Sequence, residues 1–332
     1  MQVAESPARS RLSAEVLAVL RCTICHARLL PQEGGELVCS GCERMFPAPQ
    51  GVARFVTPDN YADSFGFQWH RYHRTQLDHA EVREAEEHFR RKTGFSPEEL
   101  QGKLVLDVGC GMGRFAEVAT RWGARVVGVD LSAAAEVAAR NLASRDFAAF
   151  QADVFFLPFA PESFDFIYSI GVLHHTPDCE KAVKTLPCYL KPGGRMAVWL
   201  YSRYSHWYRF SDVYRRYTHR MSAANLHRVL KVAVPFFYHL DRGLRTVPLV
   251  GKPTAGVVHH VFPVNRHADP ETRVLNTFDW YSPKYQSKHT YEQVFRWFED
   301  CGFEDLHVGE FPISVWGKKP DAQASSPASR WD

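Results

Sequence analysis

The sequence predicts an α/β protein: a doubly wound, mostly parallel seven-stranded sheet, with a small four-cysteine module in front and a helical insertion late in the chain. Three observations lead there. From Lys103 onward, short apolar runs alternate with helical patterns, as expected for a parallel sheet covered on both faces. A glycine-rich turn, Asp107-Val-Gly109-Cys110-Gly111-Met-Gly113, follows the first of these runs and precedes a helix. Two Cys-x-x-Cys pairs, Cys22/Cys25 and Cys39/Cys42, lie close together near the N-terminus.

The strands are expected at 104–108, 125–129, 147–151, 164–169, 195–201, 304–309 and 312–317, with helices between them near 112–122, 133–143, 179–189 and 290–300. Leu104-Val105-Leu106 and Val126-Val127-Gly128-Val129 suit strands buried on both faces. Residues 1–57 read as a lead-in helix and the cysteine module. Residues 58–102 read as a helical connector, with a helix from about Ala80 to Lys92 that Gly94 ends. Ser96, Pro97 and Glu99 then make a capping box with proline at the first helical position. Residues 103–319 hold the sheet domain. They are interrupted at 202–285 by two helices, about 204–219 and 223–240, and a loop punctuated by Gly and Pro. The tail, 320–332, is polar and expected to be disordered.

Composition narrows the function. Net charge is only +3 over 332 residues, so there is no global basic field of the kind that dominates nucleic-acid binding. No apolar run approaches the roughly 18 residues of a transmembrane helix. The first twenty residues carry no secretory pattern, and the expected location is cytoplasmic. In that setting the cysteine spacing favours metal over disulfides. Four thiolates so placed can close a tetrahedral zinc site at about 2.3 Å per bond, and the metal would supply folding energy that so small a module lacks. Cys22, Cys25, Cys39 and Cys42 are the expected ligands, with a redox dithiol as the bland alternative.

The glycine turn alone has several readings. Its spacing is Gly-x-Gly-x-Gly, and Arg114 stands where a dinucleotide fingerprint needs its last glycine. Asp130 ends the next strand, where it can accept from both ribose hydroxyls of an adenosine. Asp153 follows the third strand, where it can accept from an adenine amino group. The fourth strand leads through Ser169 and Ile170 to His174 and His175.

Taken in order, LDVGCGMGRF, VVGVDLS, QADVFFLPF, FDFIYSIGVLHHTPD and LKPGGRMAVW resemble the consecutive motifs of class I methyltransferases of the ubiquinone/menaquinone-methyltransferase-like branch. The resemblance covers about 104–201. It implies S-adenosylmethionine as methyl donor. It also implies that Asp107, Gly109, Cys110, Gly111 and Gly113 lie near the methionine part, Asp130 and Leu131 near the ribose, and Asp153 and Val154 near the adenine. Ser169 and Ile170 would line the active-site end. The segment running from the cysteine pairs to Phe55 is similar to the zinc-ribbon activator subunit of certain tRNA, rRNA and protein methyltransferases, here fused into one chain.

Methyl transfer from an activated sulfonium asks mainly for alignment and exclusion of water. A base helps when the acceptor is a hydroxyl or a carbon acid, and His174 or His175 can supply one. Their bland reading is packing beneath the cofactor. Gln68, Trp69 and Tyr72 in the connector are lid candidates. Asp279, Trp280, Tyr281, Tyr285 and His289 are acceptor-site candidates, against a linker packed by its rings. Residues 202–245 hold nine Arg or Lys against Asp212 and Asp241, with rings such as Tyr204, Tyr214 and Tyr217. That mixture suits RNA, a membrane surface, an anionic substrate or a solvated helix face. The leading expectation is methylation of a small or lipid-linked acceptor beneath the insertion, with an RNA methyltransferase as the alternative.

Overall fold

The computed structural model describes residues 12–57, 60–78, 83–204 and 209–322. Residues 80–82 of the expected connector helix and 323–332 of the expected tail lie outside them.

The N-terminal module opens with α1 (Ala14–Val19), whose cap Ser13 accepts from the Val16 amide. A three-stranded antiparallel sheet follows, made of β1 (Leu29–Pro31), β2 (Leu37–Cys39) and β3 (Met45–Phe46). Strand β4 (Ala53–Arg54) then leaves the module and joins the main sheet. The connector holds α2 (Asp63–Arg71), α3 (Glu84–Thr93) and α4 (Pro97–Leu100). Gly94 ends α3 in the left-handed region, and Ser96 and Glu99 close the capping box of α4.

The main sheet is built from β5 (Leu104–Val108), α5 (Arg114–Arg121), β6 (Arg125–Asp130), α6 (Ala134–Asn141), β7 (Phe147–Gln151), β8 (Phe164–Ile170), α7 (Cys179–Thr185) and β9 (Leu190–Trp199). Four helices follow: α8 (Arg209–Thr218), α9 (Ala223–Arg245), α10 (Gly251–Val261) and α11 (Pro270–Tyr281). The chain ends with α12 (Tyr291–Asp300), β10 (Glu304–Val308) and β11 (Ser314–Lys318). Strand order is β10-β11-β9-β8-β5-β6-β7-β4, with β11 antiparallel to both neighbours. The chain winds outward from β5 through β7, then crosses back to β8 on the other side. The crevice at the carboxyl ends of β5 and β8 is therefore the switch point where this architecture binds ligands.

Two expectations change. The sheet has eight strands rather than seven, because Ala53 and Arg54 pair in parallel with Phe150 and Gln151. A two-residue strand has too little periodicity to stand out in sequence. The stretch expected as a loop after 240 is largely helical. Gly251 and Pro253 fall in the first turn of α10 and Pro270 opens α11 under its cap Asp269, where proline costs no hydrogen bond.

One apolar core joins Leu20, Leu37 and Phe46 of the cysteine module to Phe150, Phe159 and Phe164 of the sheet. On the opposite face, Phe89 and Phe95 pack with Val105 and Tyr168. A separate cluster ties Leu226, Leu230 and Val234 of α9 to Val274, Phe278 and Tyr281 of α11. Because the first core is continuous, Leu37→Ala should cost about 2–5 kcal/mol. Thermal denaturation followed by circular dichroism and by tryptophan fluorescence should show one transition at lower temperature. A separate early transition of the module alone would refute that coupling.

Candidate active site and metal centre

The four thiol sulfurs of Cys22, Cys25, Cys39 and Cys42 lie within 4.8 Å of one another. The sulfurs of Cys22 and Cys42 are 3.7 Å apart, and those of Cys25 and Cys39 are 3.2 Å apart. Backbone amides point into the cluster: Gly41 and Cys42 each donate to Cys39 Sγ at 3.4 Å, and Ile24 donates to Cys22 Sγ at 3.4 Å. The Cys42 amide is foremost in drawing the Cys39 thiol down to about 6. An all-thiolate donor set with amide support fits a structural zinc ion.

At the switch point, β5 runs into the glycine turn. Gly109 and Gly111 have φ of +81° and +52°, a region that side chains with a Cβ rarely adopt. A Cβ on Gly109 would meet Val172 at 2.3 Å, and one on Gly111 would meet the Trp69 indole at 3.1 Å. The turn is tied to β6 by Asp130: the Gly111 amide donates to Oδ2 at 3.0 Å, while the Ser132 amide and hydroxyl donate to Oδ1 at 2.8 and 2.7 Å. Burial raises the Asp130 carboxyl, against these donors.

Asp107 lies behind the turn. Burial pushes its carboxyl up to about 8. Its Oδ2 is buried beside Tyr168, and Asp107 lies outside the cavity wall, one layer below the turn.

A cavity of about 1060 Å³ opens here. Its floor includes Gly109, Cys110 and Gly111, its far wall Asp130, Leu131 and Val154, and its near wall Ile170 and His175. Helix α2 roofs it with Phe65, Gln68 and Trp69, while Asn276, Asp279 and Trp280 of α11 close the insertion side. Gln68 is buried, and its Oε1 is without a partner among the described residues. Of the lid candidates, Gln68 and Trp69 line the cavity, whereas Tyr72 does not, because the far face of α2 packs on the insertion. Phe67 packs against Phe278, and the Tyr72 hydroxyl meets His227 Nε2 at 2.8 Å.

Other sequence-selected residues sit outside this wall. Gly113 caps α5, and Asp153 caps the turn after it by accepting from the Phe155 amide at 3.0 Å. The Ser169 hydroxyl donates to the Val108 carbonyl at 2.8 Å, bracing the glycine turn. Tyr281 donates to the Pro263 carbonyl at 3.0 Å. The His289 ring meets the Ser287 hydroxyl at 2.7 Å and packs on Trp297.

The two histidines part company. His174 is fully buried, stacks on Tyr201 at 3.9 Å, and has neither ring nitrogen bonded among the described residues. His175 lines the cavity. Its Nδ1 lies 3.0 Å from the Tyr285 carbonyl, which can only accept, so Nδ1 carries the proton and Nε2 keeps its lone pair. Burial lowers the pKa of both rings, and Asp279 opposes this at His175. The Tyr201 hydroxyl donates to Asp279 Oδ2 at 2.7 Å.

Residues 106–198 match the family described as Methyltransferase domain, and residues 13–51 match the family described as Trm112p-like protein. Residues 106–198 thus carry a methyltransferase domain, with a Trm112-like module in front of it. The methyltransferase domain is 36% identical over 100 residues to a ubiquinone biosynthesis O-methyltransferase of Coxiella burnetii, covering 29% of this chain and 43% of the relative. It is 34% identical over 111 residues to the human "Probable tRNA methyltransferase 9B", covering 32% of this chain and 23% of that one. The chain thus spans less than half the length of either relative. A solved S-adenosylmethionine-dependent methyltransferase of Mesorhizobium loti is 18% identical, with a TM-score of 0.39, over 66% of this chain and 91% of that one.

The methyltransferase site also contains groups that sequence reading passed over. Lys92, His88 and Arg114 line the cavity from α3 and α5. They belong to helices that read as ordinary amphipathic segments, and only the approach of α3 to β9 turns them inward.

Because the cysteine centre and the sheet share a core, stripping the metal should act at a distance. Dialysis against a strong chelator is expected to release close to one zinc per chain, read by mass spectrometry, and to lower the melting temperature of the whole protein. An unchanged melting temperature after verified metal loss would contradict this.

Proposed function

We propose that this chain moves the methyl group of S-adenosylmethionine to a small or lipid-linked acceptor held beneath its helical insertion. The observation that carries the reading is the single cavity running from the glycine turn to α11. Its volume of about 1060 Å³ is at the top of the roughly 300–1,000 Å³ range of ligand pockets, enough for a donor and an acceptor side by side.

The residues present fit the donor. Gly109, Cys110 and Gly111 let the backbone approach it, and Asp107 sits directly behind that turn, beside the donor's methionine part. Asp130 is the ribose acceptor, with Leu131, Val154 and Ile170 as apolar contacts. Gly113, Asp153 and Ser169 act one step back, by shaping the loops that carry these groups. When bound, the donor supplies an activated methyl group. Helix α2 and the insertion shield that group from water.

His175 is the base in this reading. The Tyr285 carbonyl holds its proton on Nδ1, and Nε2 can take one from an acceptor hydroxyl. Asp279 stabilises the imidazolium that results, and Tyr201 fixes the Asp279 carboxylate. His174, Tyr281 and His289 hold the surrounding elements in place. In the N-terminal module, Cys22, Cys25, Cys39 and Cys42 hold zinc. The module anchors the sheet edge through β4.

A lipid-linked acceptor draws support from the outer face of the insertion. Val232 and Phe236 on α9, Leu249 and Val250 in the following turn, and Val257 on α10 are all exposed, with Arg228, Lys231 and Lys252 exposed around them. Apolar tips rimmed by cations suit an anionic membrane surface. No helix among the described residues is long and apolar enough to cross a membrane. An RNA acceptor is the second reading. It rests on the tRNA methyltransferase relative, on the Trm112-like match and on the same basic helices.

Calorimetry should show S-adenosylmethionine binding that Asp130→Asn weakens by roughly ten- to a hundredfold, the worth of a charge-assisted hydrogen bond. Unchanged affinity would remove the donor assignment. Labelled donor incubated with fractionated cell extract should place the label in small-molecule or lipid fractions. Label confined to RNA would favour the second reading.

For the base, His175→Gln should lower kcat by roughly 10²–10⁴-fold with little change in donor affinity. Since burial lowers the His175 pKa, its imidazole stays neutral through neutral pH. The wild-type rate should hold from pH 8 down to the ordinary histidine range and fall only below it. A rate loss centred above pH 7 would exclude this role.

A further inference from the structure

On the β9 side of the cavity, one cation has no hydrogen bond or ion pair among the described residues. Lys92 projects from the last turn of α3 and is only 6% exposed. Its Nζ lies 3.7 Å from the ring centre of Trp199, 4.8 Å from that of Phe311 and 5.7 Å from that of Phe115. Among the described residues it makes no hydrogen bond or ion pair, yet it faces the cavity. Its neighbours add positive charge. Arg114 lines the same lobe and contacts Glu84 at 3.3 Å and His88 Nδ1 at 3.1 Å. Among the described residues, Glu84 is the carboxylate that favours charge on Lys92. It is already paired with Arg114, and half of its side chain is exposed.

A buried charge is costly unless it is paired, and an aromatic cage compensates for only part of that cost. The arrangement becomes favourable when an anion enters the lobe. Position favours an anion of the acceptor over the carboxylate of the donor's own methionine part. Trp199 ends β9, three strand spacings from Asp130 at the end of β6, about 14 Å across the sheet. The lobe is bounded by β9, by Phe311 and Pro312 of the β10–β11 turn, and by Arg114 and Phe115 in the first turn of α5.

We propose that Lys92 is the specificity-determining residue of an anion subsite, and that the methyl acceptor carries a carboxylate or phosphate that binds there. The inference rests on the methyltransferase reading above and narrows its acceptor class. Lys92 attracts and orients the anion, Trp199 and Phe311 exclude water around it, and Arg114 strengthens the field from behind.

The test uses the full-length zinc-loaded protein and titrates benzoate, inorganic phosphate and the neutral isostere benzamide by calorimetry, with and without saturating S-adenosylhomocysteine. Benzoate or phosphate should bind, and benzamide should bind at least tenfold more weakly than benzoate. Lys92→Met should lose at least tenfold in anion affinity and keep its S-adenosylhomocysteine affinity within twofold, which also shows that the variant is folded. Lys92→Arg should retain anion binding. Absence of binding by both anions, or equal binding by Lys92→Met, would overturn the subsite. So would benzoate displacing S-adenosylhomocysteine together with a matching loss of nucleoside affinity in Lys92→Met, since Lys92 would then serve the donor. Failure of the wild type to bind S-adenosylhomocysteine would strike the donor reading, while the titrations made without it would still judge the anion subsite.

Discussion

The hydrogen bond from the Gly111 amide to Asp130 ties the site together. It joins the turn after β5 to the end of β6, so two neighbouring strands are locked at the level where a ligand enters. Gly111 can present its amide there because its φ is positive and the space a Cβ would fill is taken by Trp69. Trp69 belongs to α2, and α2 roofs the cavity. One bond and one bare glycine thus fix floor, wall and roof together. The remaining constraint on the turn comes from below, where the Ser169 hydroxyl on β8 holds the Val108 carbonyl.

A second constraint reaches the opposite edge of the sheet. Strand β4 comes from the cysteine module and covers what would be the exposed edge of β7, a common hazard in open sheets. It is short, so its two pairings hold little energy alone. The shared core of Leu20, Leu37, Phe46, Phe150 and Phe159 secures it, and Arg54 adds an ion pair to the buried Glu136 on α6. Metal binding at the four cysteines therefore stabilises the edge beside β6 and β7, the strands that carry Asp130 and Asp153.

Where chemistry follows local pattern, it was legible in the sequence. The glycine turn, Asp130, the capping box at Ser96 and the four cysteines depend on short-range geometry, and each has a sequence signature. What depended on long-range packing was hidden. Nothing in the motif around His174 and His175 says which ring meets the cavity. The Tyr285 carbonyl, 110 residues away, decides it. Asp279 stood out as an acceptor-site candidate, but in a stretch expected as loop because of its Gly and Pro; it stands on a helix whose inner face closes the cavity. Lys92 carried no signal, since a lysine in the last turn of a helix is ordinary. Its burial against Trp199 and Phe311 arises only when β9 and the β10–β11 turn assemble beside α3.

The cavity so formed is electrically divided. Asp107 and Asp130 lie by the glycine turn, and Lys92 and Arg114 lie toward β9. Burial raises both carboxyls and lowers Lys92 to about 7, so burial works against the charged form at both ends. A fold held for stability alone would do better with apolar side chains at such positions. The division makes sense if the missing partners come from outside, a cationic donor at the acidic end and an anionic acceptor at the basic end. Each ligand would then restore charge to the groups that receive it. The field between the two ends would also align donor and acceptor along the crevice before any bond is made. Alignment is the main thing that transfer of an already activated methyl group requires of a protein.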